Sequence, residues 1–298
     1  PYLSLLMVGA HGYPKREDST LIFSLSDGGF VGDDSGIIKG YNYNVLSIDG
    51  YKDGGSIQGM FAVGSSGLYR RFDNEWERQY GCSGHFIKYS PNGIAWLSRS
   101  YWSCDFGGDM LFKSYDYGQN WVGVGVTMDD SLFEFPHFTS FAFNSKDTNI
   151  IYVANWNAIV KITDGGNSYP NPVVGYRTLV CNHNLSTVVI DPFDNNHLLA
   201  GGDHFQLYET TNAGDTWQLI TAVDSGNNIT DLEIRETNLC KVYISTSKNG
   251  VYQLTLPNAG FRMKLSYMSG WNLFSLPLKP RDPYQPKLLP SVISKAFS

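Results

Sequence analysis

The stretch FKSYDYGQNW, residues 112–121, decides how this chain reads. Its spaced residues Ser114, Asp116, Gly118 and Trp121 return in TTNAGDTW as Thr210, Asn212, Gly214 and Trp217. They return again in ITDGGNSY as Ile162, Asp164, Gly166 and Tyr169. Weaker copies lie upstream in LSDGGF, with Asp27 and Gly29, and in RFDNEW, with Asp73 and Trp76. The anchors Asp27, Asp73, Asp116, Asp164 and Asn212 are 46, 43, 48 and 48 residues apart. Spacing that regular marks a repeated structural unit.

Each anchor follows a short strand-like run: TLIFSLS, GLYRRF, MLFKSY, AIVKIT and FQLYETT. GVYQLTL, residues 250–256, continues the series without a turn. A second set of runs lies upstream (IAWLSRS, IIYVANW, HLLAGG, KVYISTS), and a third precedes it (NVLSID, HFIKYS, FTSFAF, STVVID, ITDLEI). No stretch holds a capped helical stripe, so four short strands per repeat point to propeller blades. The expectation is an all-β chain folded as a six-bladed β-propeller of four-stranded antiparallel blades, with seven blades as the other count. Blade II covers 44–80, III 84–126, IV 137–175, V 185–222 and VI 229–265. Blade I, residues 1–40, lacks an inner strand. An unpaired inner edge is costly, so SGWNLFSLPL, residues 269–278, is expected to return and close the ring; the competing reading makes it the start of another domain. The expected division is thus a propeller over 1–268 and a closing strand with a proline-rich tail, or a truncated C-terminal module, over 269–298.

In such a turn an Asp or Asn side chain accepts backbone N–H groups just ahead of it, as in an Asx-turn. The glycine takes positive φ, and the Ser or Thr two residues before the Asp adds a hydroxyl. The closing Trp or Tyr starts the next strand and covers apolar surface. The motif reads as a structural device. It resembles the Asp-box, or BNR repeat, which joins the third and fourth strands of propeller blades in sialidases, xyloglucan-cleaving glycosidases, sortilin-type receptors and photosystem assembly factors. The resemblance covers about residues 1–265 and implies that the box sits away from the functional face. The sialidase pattern itself is unsupported: its Arg-Ile-Pro signature is absent, and only Arg16, Arg99 and Arg177 could serve its arginine cluster. GWNLFSLPL also looks like the opening of a small module found near the ends of secreted bacterial and archaeal proteins.

Composition fits exposure outside the cell. Charged residues are only 17%, the four cysteines form no CxxC, and sequons occur at Asn184 (NLS) and Asn228 (NIT). The net charge of -6 offers no basic surface for nucleic acid. No run of 18 apolar residues is present to span a membrane. The start at Pro1, in mid-strand, suggests a processed or trimmed piece of a longer chain. Cys82 and Cys104 are expected to pair within blade III, closing a loop whose entropy contributes about 3 kcal/mol. Cys181 and Cys240 would then pair across blades V and VI.

In a propeller, loops between second and third strands share a face with loops between blades. Those loops carry Tyr13, Tyr101, Trp102, Trp156, Arg177 and His204, side chains suited to stacking on and hydrogen-bonding a ligand. A glycosidase would need a carboxyl pair, for which Asp105, Asp109, Asp129 and Glu134 are the candidates. Asp33–Asp34 and Asp129–Asp130 are the pairs that could hold calcium; no other cofactor is indicated. The expected function is a non-enzymatic, secreted or cell-surface propeller that binds a protein or glycan, tethered within a longer extracellular assembly. A glycoside hydrolase is the alternative.

Overall fold

The computed structural model describes residues 7–9, 22–26, 29–32, 35, 37, 45–53, 56–72, 75–81, 83–99, 111–124, 126–128, 138–165, 173–192, 194–221, 226–235, 240–256 and 264–265. Apart from one 3-10 turn, Asp203–Phe205, the regular elements among them are strands. A three-stranded antiparallel sheet comes first: β1 (Met7–Gly9), β2 (Ile22–Ser26) and β3 (Gly29–Gly32). Blade II is β4 (Val45–Asp53), β5 (Ser56–Gly64), β6 (Gly67–Phe72) and β7 (Glu75–Tyr80). Blade III is β8 (Gly84–Tyr89), β9 (Ala95–Arg99), β10 (Leu111–Ser114) and β11 (Val122–Val124).

After β11 the chain forms β12 (Val126–Met128), which pairs in parallel with the outer edge of blade IV. Blade IV is β13 (Phe138–Phe143), β14 (Ile151–Asn155), β15 (Ala158–Ile162) and β16 (Val173–Val180). Blade V is β17 (Leu185–Ile190), β18 (Leu198–Gly202), β19 (Leu207–Thr210) and β20 (Gln218–Thr221). Blade VI is β21 (Ile229–Arg235), β22 (Cys240–Thr246), β23 (Gly250–Leu256) and β24 (Lys264–Leu265).

The fold is an all-β propeller of antiparallel four-stranded blades, and among the described residues the blades number five. The expected six, or seven, is corrected: residues 7–32 supply three strands where a blade needs four. Residues 269–278, the expected source of a fourth, lie outside the described residues. Two further boundaries moved. β16 runs to Val180, past the expected blade end at 175, because YRTLV holds no turn residue to stop it. Nothing in VGVTM announced that it would cross to the next blade as β12.

The core consists of the joints between blades. Phe61, Val63 and Leu68 of blade II meet Ile87, Tyr89, Ala95 and Leu97 of blade III. Trp96, Leu111 and Val124 then meet Phe138, Phe141, Ile151, Val153 and Ile162. Tyr152, Ala154 and Ile159 meet Leu185, Val188, Leu198 and Ala200, and Leu199 with Leu207 meets six apolar side chains of blade VI. Middle strands are therefore covered on both faces, which is why IIYVAN and AIVKI read as unbroken apolar runs. Outer strands meet solvent, and EWERQY in β7 buries little besides Trp76.

Each turn docks on the blade before it. In blade III the Ser114 hydroxyl donates to Asp116 Oδ1 (2.8 Å) and accepts Gly118 N–H (2.7 Å), while Asp116 Oδ1 accepts Asn120 N–H (2.8 Å). Blade V repeats the network: Thr210 Oγ1 donates to Asn212 Oδ1 (2.8 Å), Gly214 N–H donates to Thr210 Oγ1 (3.1 Å) and Thr216 N–H to Asn212 Oδ1 (2.9 Å). The anchor thus accepts from four residues ahead, further than an Asx-turn reaches. The reason is two successive left-handed residues, Tyr117 (φ 55°) with Gly118 (φ 83°) and Ala213 (φ 57°) with Gly214 (φ 90°). Trp121 meets Phe61 of blade II edge-on at 5.8 Å, and Trp217 Nε1 donates to Thr178 Oγ1 of blade IV (3.4 Å). The Asp164 turn shares the left-handed Gly165 (φ 71°); Gly166 and Tyr169 lie outside the described residues.

A lysine completes two of the joints, Lys113 buried and Lys161 half-buried. Lys113 Nζ of blade III donates to Gly165 O (3.3 Å), and Lys161 Nζ of blade IV donates to the equivalent carbonyl, Ala213 O (3.2 Å). Blade V adds its own buried network, His197, whose two ring nitrogens face Asp191 Oδ2 and Glu209 Oε1 at 2.9 Å each. It ties the loop between the first two strands to the third.

Two outcomes follow from the turn. A Cβ on Gly118 would sit 2.0 Å from Phe61 Cζ, whereas on Gly214 the nearest atoms are 3.3 Å away. Chemical denaturation of Gly118→Ala should show a loss of about 3 kcal/mol, and a smaller one for Gly214→Ala; equal losses would refute the docking. The Asn120 N–H, then the Asn120 amide and Ser114 hydroxyl, hold the Asp116 carboxyl at about 2, against an ordinary 3.8. A depressed carboxyl stabilises the fold above its unfolded value, and that contribution fades as pH falls towards 2. Asp116→Asn, which copies Asn212, should keep the turn at neutral pH with the Asn120 amide flipped. Melting temperatures of the two proteins should then converge between about pH 4 and 2; parallel curves would refute it.

Candidate functional site: the loop face

Inner strands start, and second strands end, on one face of the ring. All five inner pairs carry a β-bulge there, at Leu46, His85, Thr139, Ser186 and Thr230. A bulge frees one residue from the ladder and re-aims its side chain. Thr139 Oγ1 accordingly donates to Leu185 O (3.1 Å), the first carbonyl of the next inner strand, and Ser186 Oγ donates to Ile229 O in the same way.

The sequons turn out to be one repeat position used twice. Asn184 N–H donates to Asp203 Oδ2 (3.4 Å) while Asp203 N–H donates to Asn184 O (2.9 Å). Asn228 N–H donates to Ser247 Oγ (3.1 Å) while Ser247 N–H donates to Asn228 O (2.9 Å). Asn184 Nδ2 also donates to Asp203 Oδ2 (3.0 Å), and Asn228 Oδ1 accepts His204 N–H (3.2 Å). The Ser and Thr of these sequons are the bulge residues Ser186 and Thr230.

Between the loops the face is apolar and strained. Trp156, Val180 and Val251 are 51%, 64% and 60% exposed, with Leu46 and Tyr80 exposed at the same end of their blade. Trp156 (φ 26°), His204 (φ 57°) and Phe205 (φ 55°) hold left-handed backbone without being glycine. Such strain persists only where the surroundings enforce it, and it concentrates at functional sites. His183 stacks on Tyr208 at 5.7 Å, and Phe205 meets Tyr252 edge-on at 5.4 Å. Burial, with His204 acting the same way, holds the His183 imidazole below its ordinary value against the pull of Asp203.

The central channel is polar. Asp49 Oδ2 accepts Tyr89 N–H (2.7 Å), and Asp231 Oδ1 accepts the Thr187 hydroxyl (3.1 Å) and Leu232 N–H (2.9 Å). Burial raises both carboxyls, while backbone donors and Lys88 pull them down. Asp231 is exposed even so. Lys88 of blade III thus acts on carboxylates of blades II and VI.

Of the expected site residues, the structure places Trp156 and His204 on this face. Arg177, expected in a loop, lies half-buried within β16, opposite Val160, on an outer strand. Tyr13, Tyr101, Trp102, Asp105, Asp109, Asp129, Glu134, the pair Asp33–Asp34 and Asp130 lie outside the described residues, as do Cys82 and Cys104. Among the described residues no three His, Cys, Asp or Glu side chains gather as metal ligands, and no helix is long and apolar enough to cross a membrane. Sequence reasoning missed Val180 and Val251, and also the His183–Tyr208 stack; their signal was an apolar residue at a strand end.

The expected Cys181–Cys240 bridge is not formed: Cys181 is a free thiol. Topology separates the two. Cys181 follows β16 on the loop face, where its N–H donates to Asn157 O (2.8 Å), while Cys240 opens β22 at the opposite end of its sheet, across from Leu256. The Cys181 thiol donates to His183 O (3.2 Å); burial pushes it up, that bond pulls it down and Asp203 raises it again. At pH 8 a thiol reagent should therefore label Cys181 more slowly in the native protein than after denaturation; equal rates would contradict this environment.

No family model and no curated protein matches the chain. Solved structures match it by shape. An ancestral GH74 enzyme superposes with a TM-score of 0.57 at 16% identity, over 84% of this chain and 36% of that one. YCF48 from Cyanidioschyzon merolae gives 0.54 at 11%, over 78% and 73%. PorZ, an essential bacterial surface component of the type-IX secretion system of Porphyromonas gingivalis, gives 0.54 at 14%, over 77% and 35%. The chain thus spans about a third of the length of the first and last. The class of fold these likenesses define is the β-propeller, with the loop face as its candidate site.

Proposed function

We propose that this is a non-enzymatic binding propeller, secreted or carried at a cell surface within a longer extracellular chain, that holds a protein segment or a glycan on its loop face. The observation that carries the reading is the exposure of Trp156, on enforced left-handed backbone, and of Val180, both at the same end of blade IV. An exposed indole can stack on a sugar ring or anchor a peptide side chain. The Ser114–Trp121 and Thr210–Trp217 networks support membership among the Asp-box propellers, with the box as scaffold. PorZ, a surface component, supports a place outside the cell by analogy of fold. The Cys82–Cys104 bridge belongs to the same reading. Of the sequons, Asn228 is the better acceptor, because a glycan on Nδ2 leaves its Oδ1 bond to His204 intact, whereas on Asn184 it would replace one of the two hydrogens of the Nδ2 that faces Asp203.

The second reading, a glycosidase built on Asp105 or Asp109 with Asp129 or Glu134, rests on the same loops. A glycan array and a displayed peptide library, each probed with wild type and Trp156→Ala, test both. Binding should fall at least about tenfold in the variant at unchanged melting temperature, as for a hot-spot aromatic. Unaltered binding would remove Trp156 from the site, and turnover of a bound glycan would replace the binding reading with the enzymatic one.

A further inference from the structure

Blade V departs from its neighbours at two positions that face each other. In blades III and IV the residue before the turn motif is Lys113 or Lys161, each bonded forward to a carbonyl of the next blade's turn (3.3 and 3.2 Å). In blade V that residue is Glu209. The residue just ahead of the second strand is Ile94 in blade III and Ile150 in blade IV, whose carbonyls accept Ser90 N–H (2.9 Å) and Asn144 N–H (3.1 Å). In blade V the same bond runs from Asp191 N–H to the carbonyl of His197 (2.9 Å). An isoleucine and a lysine are thus replaced by a histidine and a glutamate, and the glutamate turns back onto the histidine of its own blade.

His197 is 9% exposed, with Nδ1 2.9 Å from Asp191 Oδ2 and Nε2 2.9 Å from Glu209 Oε1. A neutral imidazole carries one N–H, so it would donate to one carboxylate and turn a lone pair on the other. Two contacts of equal length call for two ring protons, which two negative neighbours favour. Glu209 Oε2 also accepts the Gln218 amide (3.0 Å), as suits a carboxylate. The charged groups facing the ring are therefore Asp191 from its own loop and Glu209 from β19, while β20 brings the neutral Gln218. Blade IV brings Lys161 and Tyr152 to the same joint, where both donate to Ala213 O. The Tyr152 hydroxyl is pushed up to about 12 by burial and then by Asp215, so it does not titrate with the histidine.

The turn Asp194–His197, closed by His197 N–H on Asp194 O (2.9 Å), also joins blades. Asn195 Oδ1 accepts the N–H (3.3 Å) and hydroxyl (3.1 Å) of Ser145 in blade IV, and Asn196 O accepts Ala213 N–H (2.8 Å) from the blade V turn motif. We propose that His197 is an imidazolium in the folded chain at neutral pH, and that its second proton is a latch holding the turn Asp194–His197 to β19. Loss of that proton at alkaline pH frees the turn and weakens the joint to blade IV. A histidine whose charged form the fold favours stabilises it fully below the unfolded value of about 6.5, and that contribution is lost as pH rises through the folded value. The latch therefore holds in neutral solution and opens in alkaline solution.

Long-range proton–nitrogen NMR of the intact chain tests the proton itself. At about pH 7.5 the His197 ring, assigned by its absence in His197→Gln, should show two protonated nitrogens. One bare nitrogen, whether the second proton is lost or sits on a carboxyl, overturns the proposal. In Glu209→Gln the ring should give up its second proton at lower pH than in wild type; an unmoved titration overturns it too. Thermal unfolding then tests the latch against Asp191→Asn/His197→Ile/Glu209→Lys, which gives blade V the side chains of Asn144, Ile150 and Lys161 in blade IV. From about pH 6 to about pH 10 the wild-type melting temperature should fall by about 3 °C relative to this variant. A constant difference overturns the latch.

Discussion

The inner edge of each sheet is the constraint on which the rest of this ring depends. An innermost strand has backbone N–H and C=O groups facing the channel with no further strand to pair them, and such groups are costly when left unsatisfied. Here the preceding blade supplies side chains for them. Ser47 donates to Ile87 O (3.1 Å) and accepts Ile87 N–H (3.2 Å); Ser140 does the same for Val188 (3.5 and 3.4 Å). Asp49 takes Tyr89 N–H one pleat further down. Where the position is Phe86 in blade III, the contact becomes apolar, an edge-on ring pair with Phe141 at 5.6 Å. Each blade is therefore finished by its neighbour, and sheet order follows chain order because the caps point one way.

The same directionality repeats at a larger radius, on the opposite face. Lys113 and Lys161 reach forward to a carbonyl of the next turn, and Tyr152 Oη donates to Ala213 O (2.7 Å) beside Lys161. The turn must present that carbonyl and lie flat on an aromatic ring, which requires two left-handed residues in succession and a small one at the second. Ser or Thr and Asp or Asn satisfy the N–H groups so released. The interchange of Asp116 and Asn212 within one chain shows that the oxygen is needed and the charge is not. This separates the motif from catalysis on chemical grounds.

What the sequence made legible was local. Strand positions and the glycines of the turn follow from residue types within a few positions of each other, and Gly118 and Gly214 do take positive φ. Blade count, the crossing of β12 and the bulges depend on pairings between segments far apart in sequence, which no local pattern encodes. Arg177 looked like a loop residue because the loop was assigned by repeat arithmetic, while YRTLV kept enough β-branched and aromatic character to extend the strand. Cys181 and Cys240 looked like partners because pairing arithmetic ignores which end of a strand each residue occupies; once strand direction is known, they stand at opposite faces.

The division of labour between the faces is the last consequence. On the turn face Lys113, Lys161, Tyr152 and Trp217 bond from one blade to the next, so substitutions there act on stability. The loop face uses backbone and short side chains for the same joints: Thr139, Ser186 and the paired exchange of Asn184 with Asp203 and Asn228 with Ser247. Those bonds fix the loops from below, and Trp156, Val180 and Val251 stand exposed beside them. An apolar side chain kept at a strand end on enforced left-handed backbone costs stability. On a scaffold whose other repeated positions are so consistently devoted to holding blades together, that cost is the physical ground on which the proposed binding role rests.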